Sequence, residues 1–242
     1  MKNILFTAMI VMCFSLSVRA EELRVAVAAN FCSTLSLIKK EFEKIHDDKL
    51  VIIKGSTGKL YAQIKHGAPY DVYMAADINR PYLLEKQQMI LENSRYTYAS
   101  GLLVLWSKKN KKNVLDKLKK GDFNKLAIAN PKIAPYGQAA METLSALGLQ
   151  GSVKKKMVYG ENIAQTFQFV QSGGIQLGFV ALSYVKQNYK NYWQVPENMY
   201  TPLKQQMVIL KSSKKKQTAQ KFMAFIKRKN IQQIIRQQGY HL

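Results

Sequence analysis

Four short segments place small, hydroxyl or amide residues where a predicted strand ends and a predicted helix begins. Such a helix start can bind an anion, because its first N–H groups have no partner within the helix and the helix dipole makes that end partly positive. Hydroxyl and amide side chains add further donors, and glycine lets the backbone approach a ligand closely. The four segments are 29–33 (ANFCS), 55–59 (GSTGK), 130–137 (NPKIAPYG) and 160–163 (GENI).

The same residue types also have a purely structural interpretation. Ser, Thr, Asn and Gly are the usual caps of helix N-termini, and one cap stabilises a helix by about 0.5–2 kcal/mol without any ligand. Four such segments together favour anion binding, but their spacing alone leaves both interpretations open.

Short apolar runs alternate with amphipathic stretches along the chain, and these elements must position the four segments. The alternation predicts an α/β fold with largely parallel sheets, in which the four segments gather at the carboxyl edge. Composition leaves one large sheet or two lobes open, with the turn-forming stretches 98–101 and 198–202 as crossing points. The predicted strands are 23–28, 50–53, 71–75, 102–106, 126–128, 157–159, 176–182 and 207–210.

Residues 1–20 have the layout of a secretory signal peptide, with Lys2 at the start, an apolar run, and the small residues Val18 and Ala20 at the end. A membrane anchor needs about 20 apolar residues, and Arg19 ends this run too early. A lipoprotein signal fits poorly, because Cys13 lies inside the apolar run. We therefore predict an exported, periplasmic protein whose mature chain keeps one cysteine.

The chain carries a large positive charge, 37 − 15 = +22, or 35 − 15 = +20 once Lys2 and Arg19 leave with the signal. This balance suggests nucleic acid or a membrane surface as partner, but an exported protein rarely meets cellular DNA or RNA. Lysine clusters at 108–120, 154–156 and 214–216 are typical of a solvated surface. Attraction to anionic lipids or acidic cell-surface polymers is the alternative.

Catalytic and metal-binding chemistry finds little support in the sequence. The three histidines have no Cys or carboxylate at metal-ligand spacing. Asp71 and Asp77 would repel an anion and fit structural roles better, while Ser183 and Cys32 lack a visible His partner. Lys59 follows Ser-Thr-Gly without the spacing of a phosphate-binding P-loop. The sequence therefore predicts a binding protein and not an enzyme.

The four segments, with others in the same order along nearly the whole mature chain, resemble the periplasmic molybdate-binding proteins of ABC transporters. Any one match is weak, but together they are specific. The matching segments are 27–30 (VAAN), 55–64 (GSTGKLYAQI), 67–72 (GAPYDV), 75–77 (AAD), 103–107 (LVLWS), 134–137 (APYG), 160–165 (GENIAQ), 177–183 (LGFVALS) and 239–240 (GY).

The resemblance implies a two-lobed "Venus flytrap" fold of the type II periplasmic solute-binding proteins, each lobe a mostly parallel sheet flanked by helices. Lobe I would hold 21–99 and 203–242, and lobe II 100–202. The protein would be a monomer that captures molybdate, and usually tungstate, and delivers it to the membrane permease of an ABC transporter. The resemblance implies no cofactor other than the oxyanion ligand, and no nucleic-acid partner.

Carried over by position, the resemblance also implies the ligand set. Asn30 would offer its amide and backbone N–H, Ser56 or Thr57 a hydroxyl, and Tyr136 and Ile163 their backbone N–H groups. No lysine or arginine would touch the oxyanion.

One position departs from part of the family, because Ala181 stands where some members have a tyrosine hydroxyl donor. This fits the branch with asparagine at the first segment. Three rival functions stay open: a binder of another tetrahedral oxyanion such as sulfate, an enzyme acting on an anionic substrate, and a basic adhesion or nucleic-acid protein.

Overall fold

A computed structural model describes residues 21–109, 113–186 and 191–242. The predicted signal peptide at 1–20 lies outside these ranges, as does the 110–112 portion of the first lysine cluster. Within the described ranges, no helix is both long and apolar enough to cross a membrane.

Five strands form sheet A, in the spatial order β2-β1-β3-β10-β4. β1 pairs in parallel with β2 and β3, and β10 runs antiparallel to β3 and β4, so that of these five strands only β10 is reversed. The strands are β1 (Glu22–Ala28), β2 (Lys49–Gly55), β3 (Val72–Met74), β4 (Tyr96–Gly101) and β10 (Leu203–Ile209).

Five further strands form sheet B, in the order β7-β6-β8-β5-β9. β6 is parallel to β7 and β8, whereas β5 is antiparallel to β8 and β9, so again one described strand is reversed. The strands are β5 (Leu103–Trp106), β6 (Leu126–Ala129), β7 (Met157–Gly160), β8 (Leu177–Ala181) and β9 (Tyr192–Gln194). The predicted α/β fold with mostly parallel sheets is confirmed.

Helices cover both faces of each sheet, because the strands are apolar on both sides. Helices α1, α9 and α10 share one apolar cluster of sheet A, and α2 and α3 share the other. The helices are α1 (Cys32–Glu43), α2 (Thr57–Lys65), α3 (Asn79–Lys86), α4 (Val114–Lys120), α5 (Pro135–Ala146), α6 (Gln150–Val153), α7 (Ile163–Gln171), α8 (Leu182–Val185), α9 (Lys216–Ile226) and α10 (Lys229–Gln237).

The strand register brings the four segments together in pairs. Ala28 and Gly55, which end β1 and β2, are direct partners, and so are Ala129 and Gly160, which end β6 and β7. The helix that follows each of these strands therefore begins beside its neighbour at the carboxyl edge of its sheet.

One sequence prediction about local structure was wrong. The stretch 98–101 was expected to be a turn, but it belongs to strand β4, which pairs with β10 about a hundred residues later in the chain. The second crossing stretch, 198–202, does lie outside strands. Strand β10 supplies hydrogen bonds to the small residues of β4, and a pairing of such distant segments leaves no local signal in the sequence.

Candidate functional site

Residues from all four segments line one small cavity between the carboxyl edges of the two sheets. All five residues implied by the family resemblance are among its walls, and each is at most 3% exposed. They are Asn30, Ser56, Thr57, Tyr136 and Ile163.

Ser56 occupies the N-cap position of α2 in an extended conformation, yet its side chain makes no capping hydrogen bond. Among the described residues, its Oγ is one of the few buried side-chain atoms with no hydrogen-bond partner. Thr57 is different, because its Oγ1 accepts a hydrogen bond from the Ala76 N–H at 3.2 Å. Of the two hydroxyls left open by the sequence, that of Ser56 has no partner at all, whereas that of Thr57 accepts one hydrogen bond and keeps its O–H donor.

Helix α7 shows what an ordinary cap does in this protein. Asn162 Oδ1 accepts hydrogen bonds from the N–H groups of Ala164 and Gln165, at 3.0 and 3.1 Å. This cap satisfies the second and third N–H groups of the helix and leaves that of Ile163, the first, outside it. The geometry therefore accommodates both interpretations of the sequence, with Asn162 as a cap and Ile163 as a backbone donor in the cavity wall.

Helix α5 begins with Pro135, which has no N–H group. The first backbone donor of this helix is therefore that of Tyr136, one of the residues that line the cavity. Proline at this position costs the helix nothing, since the first N–H has no partner within a helix. The proline therefore leaves α5 without a backbone N–H donor at its first position.

Asn30 has partners within the protein that the sequence did not predict. Its Nδ2 donates to Gln205 Oε1 at 2.9 Å and, more weakly, to Tyr240 Oη at 3.3 Å. Tyr240 in turn donates to the Asn30 carbonyl oxygen at 2.7 Å. In this arrangement Asn30 Nδ2 is used inside the protein, so a role of this amide as an anion donor stays a prediction.

Gln205 is a buried residue at the site that the sequence reasoning missed. It accepts from Tyr98 Oη at 3.0 Å as well as from Asn30, and its Nε2 lies 3.5 Å from Tyr136 Oη. The only signal in the sequence was a pair of glutamines directly before the predicted apolar strand 207–210.

The hydrogen-bond network around Asn30 and Gln205 contains neutral phenols. Burial raises the pKa of Tyr98 and Tyr136 well above the usual value, with a smaller contribution from Tyr240, whose own pKa burial raises to about 12. These phenols therefore stay protonated at neutral pH and place no negative charge beside an anion.

Alkaline pH is expected to destabilise the protein through these tyrosines. An unfolded tyrosine ionises near pH 10, whereas Tyr240 in the fold ionises at about 12, so its contribution to stability is complete below pH 10 and is lost as the pH rises through 12. Chemical denaturation between pH 8 and 12 should show this fall, and it should be shallower in Tyr240→Phe. Equal slopes in the two proteins would contradict the assignment.

The two sides of the cavity touch each other directly. The Gly58 N–H of α2 donates to the Ile133 carbonyl oxygen at 2.8 Å, and Tyr184 Oη donates to the Ala29 carbonyl oxygen at 2.7 Å. Lys59 Nζ lies 2.6 Å from Glu161 Oε1, and both side chains are about half exposed. Lys59 thus reaches across the cleft to a carboxylate at its rim.

Lys59→Ala is expected to change anion affinity by less than about fivefold, because an exposed ion pair contributes about 0–1 kcal/mol. Titration calorimetry of this variant, beside Lys65→Ala at the far end of the same helix, measures the effect. A loss as large as that caused by removing the Ser56 hydroxyl would show that a lysine holds the anion.

Other chemistries gain no support from the described part of the chain. It contains no group of three or more His, Cys, Asp or Glu residues that could hold a metal ion. Burial raises the pKa of the Cys32 thiol, which disfavours the nucleophilic thiolate. The Ser183 Oγ lies 3.3 Å from the Asn30 carbonyl oxygen and 3.1 Å from Tyr240 Oη.

Comparison with known proteins places the chain in a family. The sequence profile of the family described as "Bacterial extracellular solute-binding protein" matches residues 23–241. The molybdate-binding protein ModA of Azotobacter vinelandii is 44% identical over 232 residues, which cover 93% of this chain and 91% of the relative. ModA of Rhodobacter capsulatus is 37% identical, covering 96% and 92%.

Solved structures agree with the sequence relatives. The periplasmic molybdate-binding protein of Azotobacter vinelandii superposes with a TM-score of 0.88 and 39% identity, covering 91% of this chain and 99% of that one. The sulfate-binding protein SubI of Mycobacterium tuberculosis has a TM-score of 0.74 at 11% identity, which shows the fold alone. The chain therefore belongs to the bacterial extracellular solute-binding protein family, as a relative of the molybdate-binding proteins that its motifs resemble.

Proposed function

We propose that this protein binds molybdate, and also tungstate, in the cavity lined by the four helix starts, and delivers it to the permease of an ABC transporter. The observation that carries the proposal is the buried, unpartnered Oγ of Ser56, which lies in the wall of that cavity. A hydroxyl left unpaired in the interior is costly unless a ligand completes it. The relatives named for molybdate binding make this anion the first choice.

A neutral cage suits an oxyanion that must later be released. Hydrogen bonds to a charged acceptor contribute about 1.5–3 kcal/mol each, so a few donors can replace much of the lost hydration. The proposed donors are the Ser56 hydroxyl, the side-chain amide and backbone N–H of Asn30, and the backbone N–H groups of Tyr136 and Ile163. Sites made only of donors disfavour a protonated phosphate, because its O–H would face another donor.

The proposed mechanism requires two lobes that move. We assign 21–99 and 203–242 to lobe I, and 100–202 to lobe II, so that the chain crosses between β4 and β5 and again before β10. Support comes from the separate sheets A and B, and from the hydrogen bond between Gly58 and Ile133, which links residues of the two proposed lobes. Closure around the anion would form the surface that the permease recognises.

The remaining parts of the proposal concern the setting of the protein. We propose a monomeric periplasmic binding protein, exported by a signal peptide at 1–20, that performs no chemistry on its ligand. The relatives are named as binding proteins, and one solved relative is described as periplasmic.

Calorimetric titration of the purified mature protein with molybdate, tungstate, sulfate and phosphate tests the function. Molybdate and tungstate should bind, and at 1,000 times the Kd each should add about 4 kcal/mol to the free energy of unfolding. A melting temperature raised by sulfate and unmoved by molybdate and tungstate would replace this proposal with a sulfate-binding function. Steeply salt-dependent binding to DNA would instead support the nucleic-acid alternative.

A further inference from the structure

Gln205 lies where the proposed lobes meet beneath the anion cavity. It is fully buried on β10, and the pairing of β10 with β4 shifts register between Gln205 and Gln206. Gly101 on the facing strand leaves the necessary room, since a Cβ there would lie 2.6 Å from Gln205 Nε2 and 2.1 Å from Tyr136 Oη. The local backbone thus accommodates one buried amide at this point.

The partners of this amide come from both sides of the cleft. Asn30 and Tyr98 belong to proposed lobe I and hydrogen-bond to Gln205 Oε1, whereas Tyr136 belongs to proposed lobe II and faces Nε2. Both Asn30 and Tyr136 are wall residues of the cavity. A change in the Gln205 side chain therefore alters contacts with two of the residues proposed to bind the anion.

The observed arrangement is satisfied internally but does not suit a bound anion. Asn30 Nδ2 donates to Gln205 Oε1, so the amide oxygen Oδ1 is the polar side-chain atom of Asn30 that is left to meet an anion. An amide oxygen facing an oxyanion is repulsive, since both are acceptors. Turning Asn30 alone would set its oxygen against the oxygen of Gln205, so the two amides have to turn together.

The turned arrangement also gives both ends of the Gln205 amide a partner. Gln205 Nε2 then donates to Asn30 Oδ1 and to Tyr98 Oη, while Tyr98 donates to the Ala75 carbonyl oxygen, which it already contacts at 3.1 Å. Gln205 Oε1 then accepts the hydroxyl proton of Tyr136. The turn gives up the 3.3 Å hydrogen bond from Asn30 Nδ2 to Tyr240 Oη, and the bound oxyanion takes the place of that acceptor.

We propose that Gln205 is a positioning residue for the anion site, and that its amide turns over together with that of Asn30 so that Asn30 Nδ2 faces the bound oxyanion. This inference rests on the proposed function, since it needs the anion to occupy the cavity.

Two variants separate positioning from simple charge. In Gln205→Glu the carboxylate can only accept, so it holds Asn30 Nδ2 away from the anion, and molybdate affinity at pH 8 should fall by at least about thirtyfold. Gln205→Met carries no charge and cannot orient Asn30, so we expect a loss of about tenfold. If the added charge alone were responsible, Gln205→Met would bind molybdate as tightly as the natural protein.

The pH dependence of molybdate affinity distinguishes a positioning role of Gln205 from a purely structural one. As the pH falls from 8 to 5.5, protonation of the introduced carboxylate in Gln205→Glu restores a donor toward Asn30 Oδ1, so the affinity of this variant should recover while that of the natural protein stays level. The titratable groups that face this position are the neutral phenols of Tyr98, Tyr136 and, beyond Asn30, Tyr240, with the charge of Asp77 reaching Tyr98.

Gln206→Glu is the matched control. Gln206 is the next residue on β10, and its side chain bonds Arg95 and Thr97 away from the cavity network. This variant adds the same charge beside a cationic partner, and its affinity should stay within about twofold of the natural protein.

A direct measurement keeps the inference testable even if a variant fails to fold. In the molybdate complex of the natural protein, the Gln205 amide protons should show nuclear Overhauser contacts to the ring of Tyr98. Contacts to the Tyr136 ring instead, or a Gln205→Met variant that binds like the natural protein, would overturn the inference. If the natural protein binds neither molybdate nor tungstate, the proposed function itself has failed.

Discussion

Ser56→Ala is expected to weaken molybdate binding by between about tenfold and a hundredfold, while leaving the stability of the ligand-free protein unchanged or slightly higher. The loss of affinity follows from removing one hydrogen bond to a charged acceptor, worth about 1.5–3 kcal/mol. The unchanged stability follows because the Ser56 Oγ is buried and has no partner in the protein to lose. Calorimetry and chemical denaturation measure the two effects separately.

A side chain that caps a helix should behave differently, since removing it should destabilise the ligand-free protein. Asn162→Ala removes two hydrogen bonds to the start of α7 and should lower the free energy of unfolding by about 0.5–2 kcal/mol. If Ser56→Ala costs the ligand-free protein as much as this control, Ser56 is a cap and the main argument for the site fails. Adding Asn30→Ala to Ser56→Ala should weaken binding further, because both residues line the same cavity.

The sequence predicted the parts of the site that depend on local order. A residue that follows a strand and precedes a helix lies at the carboxyl edge whatever the rest of the chain does, so Asn30, Ser56 and Ile163 could be placed from pattern alone. The family resemblance added the choice of donors. What pattern could not decide was which of these residues act as caps, since Asn162 and Ser56 have equally suitable side chains.

The parts that escaped prediction depend on contacts between distant residues. Gln205 reaches the site because β10 returns between β3 and β4, about 175 residues after Asn30. Strand β4 reads as a turn because Ser100 and Gly101 lack strand propensity, and only its pairing with β10 makes it a strand. The same pairing supplies the buried tyrosine hydroxyl of Tyr98 with its amide partner.

Two of the lysines lie on the side of sheet B that faces away from the cavity. Lys125 precedes β6 and Lys156 precedes β7, so both lie at the edge of sheet B opposite to the four helix starts. Lys156 Nζ donates to the Gly121 carbonyl oxygen and contacts the Phe123 ring, which ties it to that remote edge. These lysines are therefore surface groups distant from the proposed ligand set.

Gly58→Ala is expected to lower molybdate affinity by at least about tenfold without harming the fold. Gly58 is the second residue of α2, and in this structure a Cβ there would lie 2.9 Å from the Ile133 Cα and 3.0 Å from Arg80 Nη2. The arginine can move, but the backbone at Ile133 cannot move without separating the two sides of the cavity. Closure over the anion is therefore obstructed.

The ligand-free protein should respond in the opposite direction. Alanine is favoured over glycine within a helix by up to about 1 kcal/mol, so the variant should unfold at an equal or higher denaturant concentration. Gly151→Ala is the matched control, because a Cβ at that position of α6 meets nothing within 4 Å. Small-angle X-ray scattering should show molybdate reducing the radius of gyration of the control and of the natural protein, but not of Gly58→Ala.

The two readouts together decide what closure requires. A Gly58→Ala protein that compacts and binds molybdate like the control would show that the contact between α2 and the segment before α5 is not needed for capture. A protein that binds weakly while staying open and stable would show that the Gly58 N–H to Ile133 oxygen contact, 2.8 Å long, is made only as the cavity closes. In that case the first turn of α2 has two tasks, since Ser56 meets the anion and Gly58 meets the opposite side of the cleft.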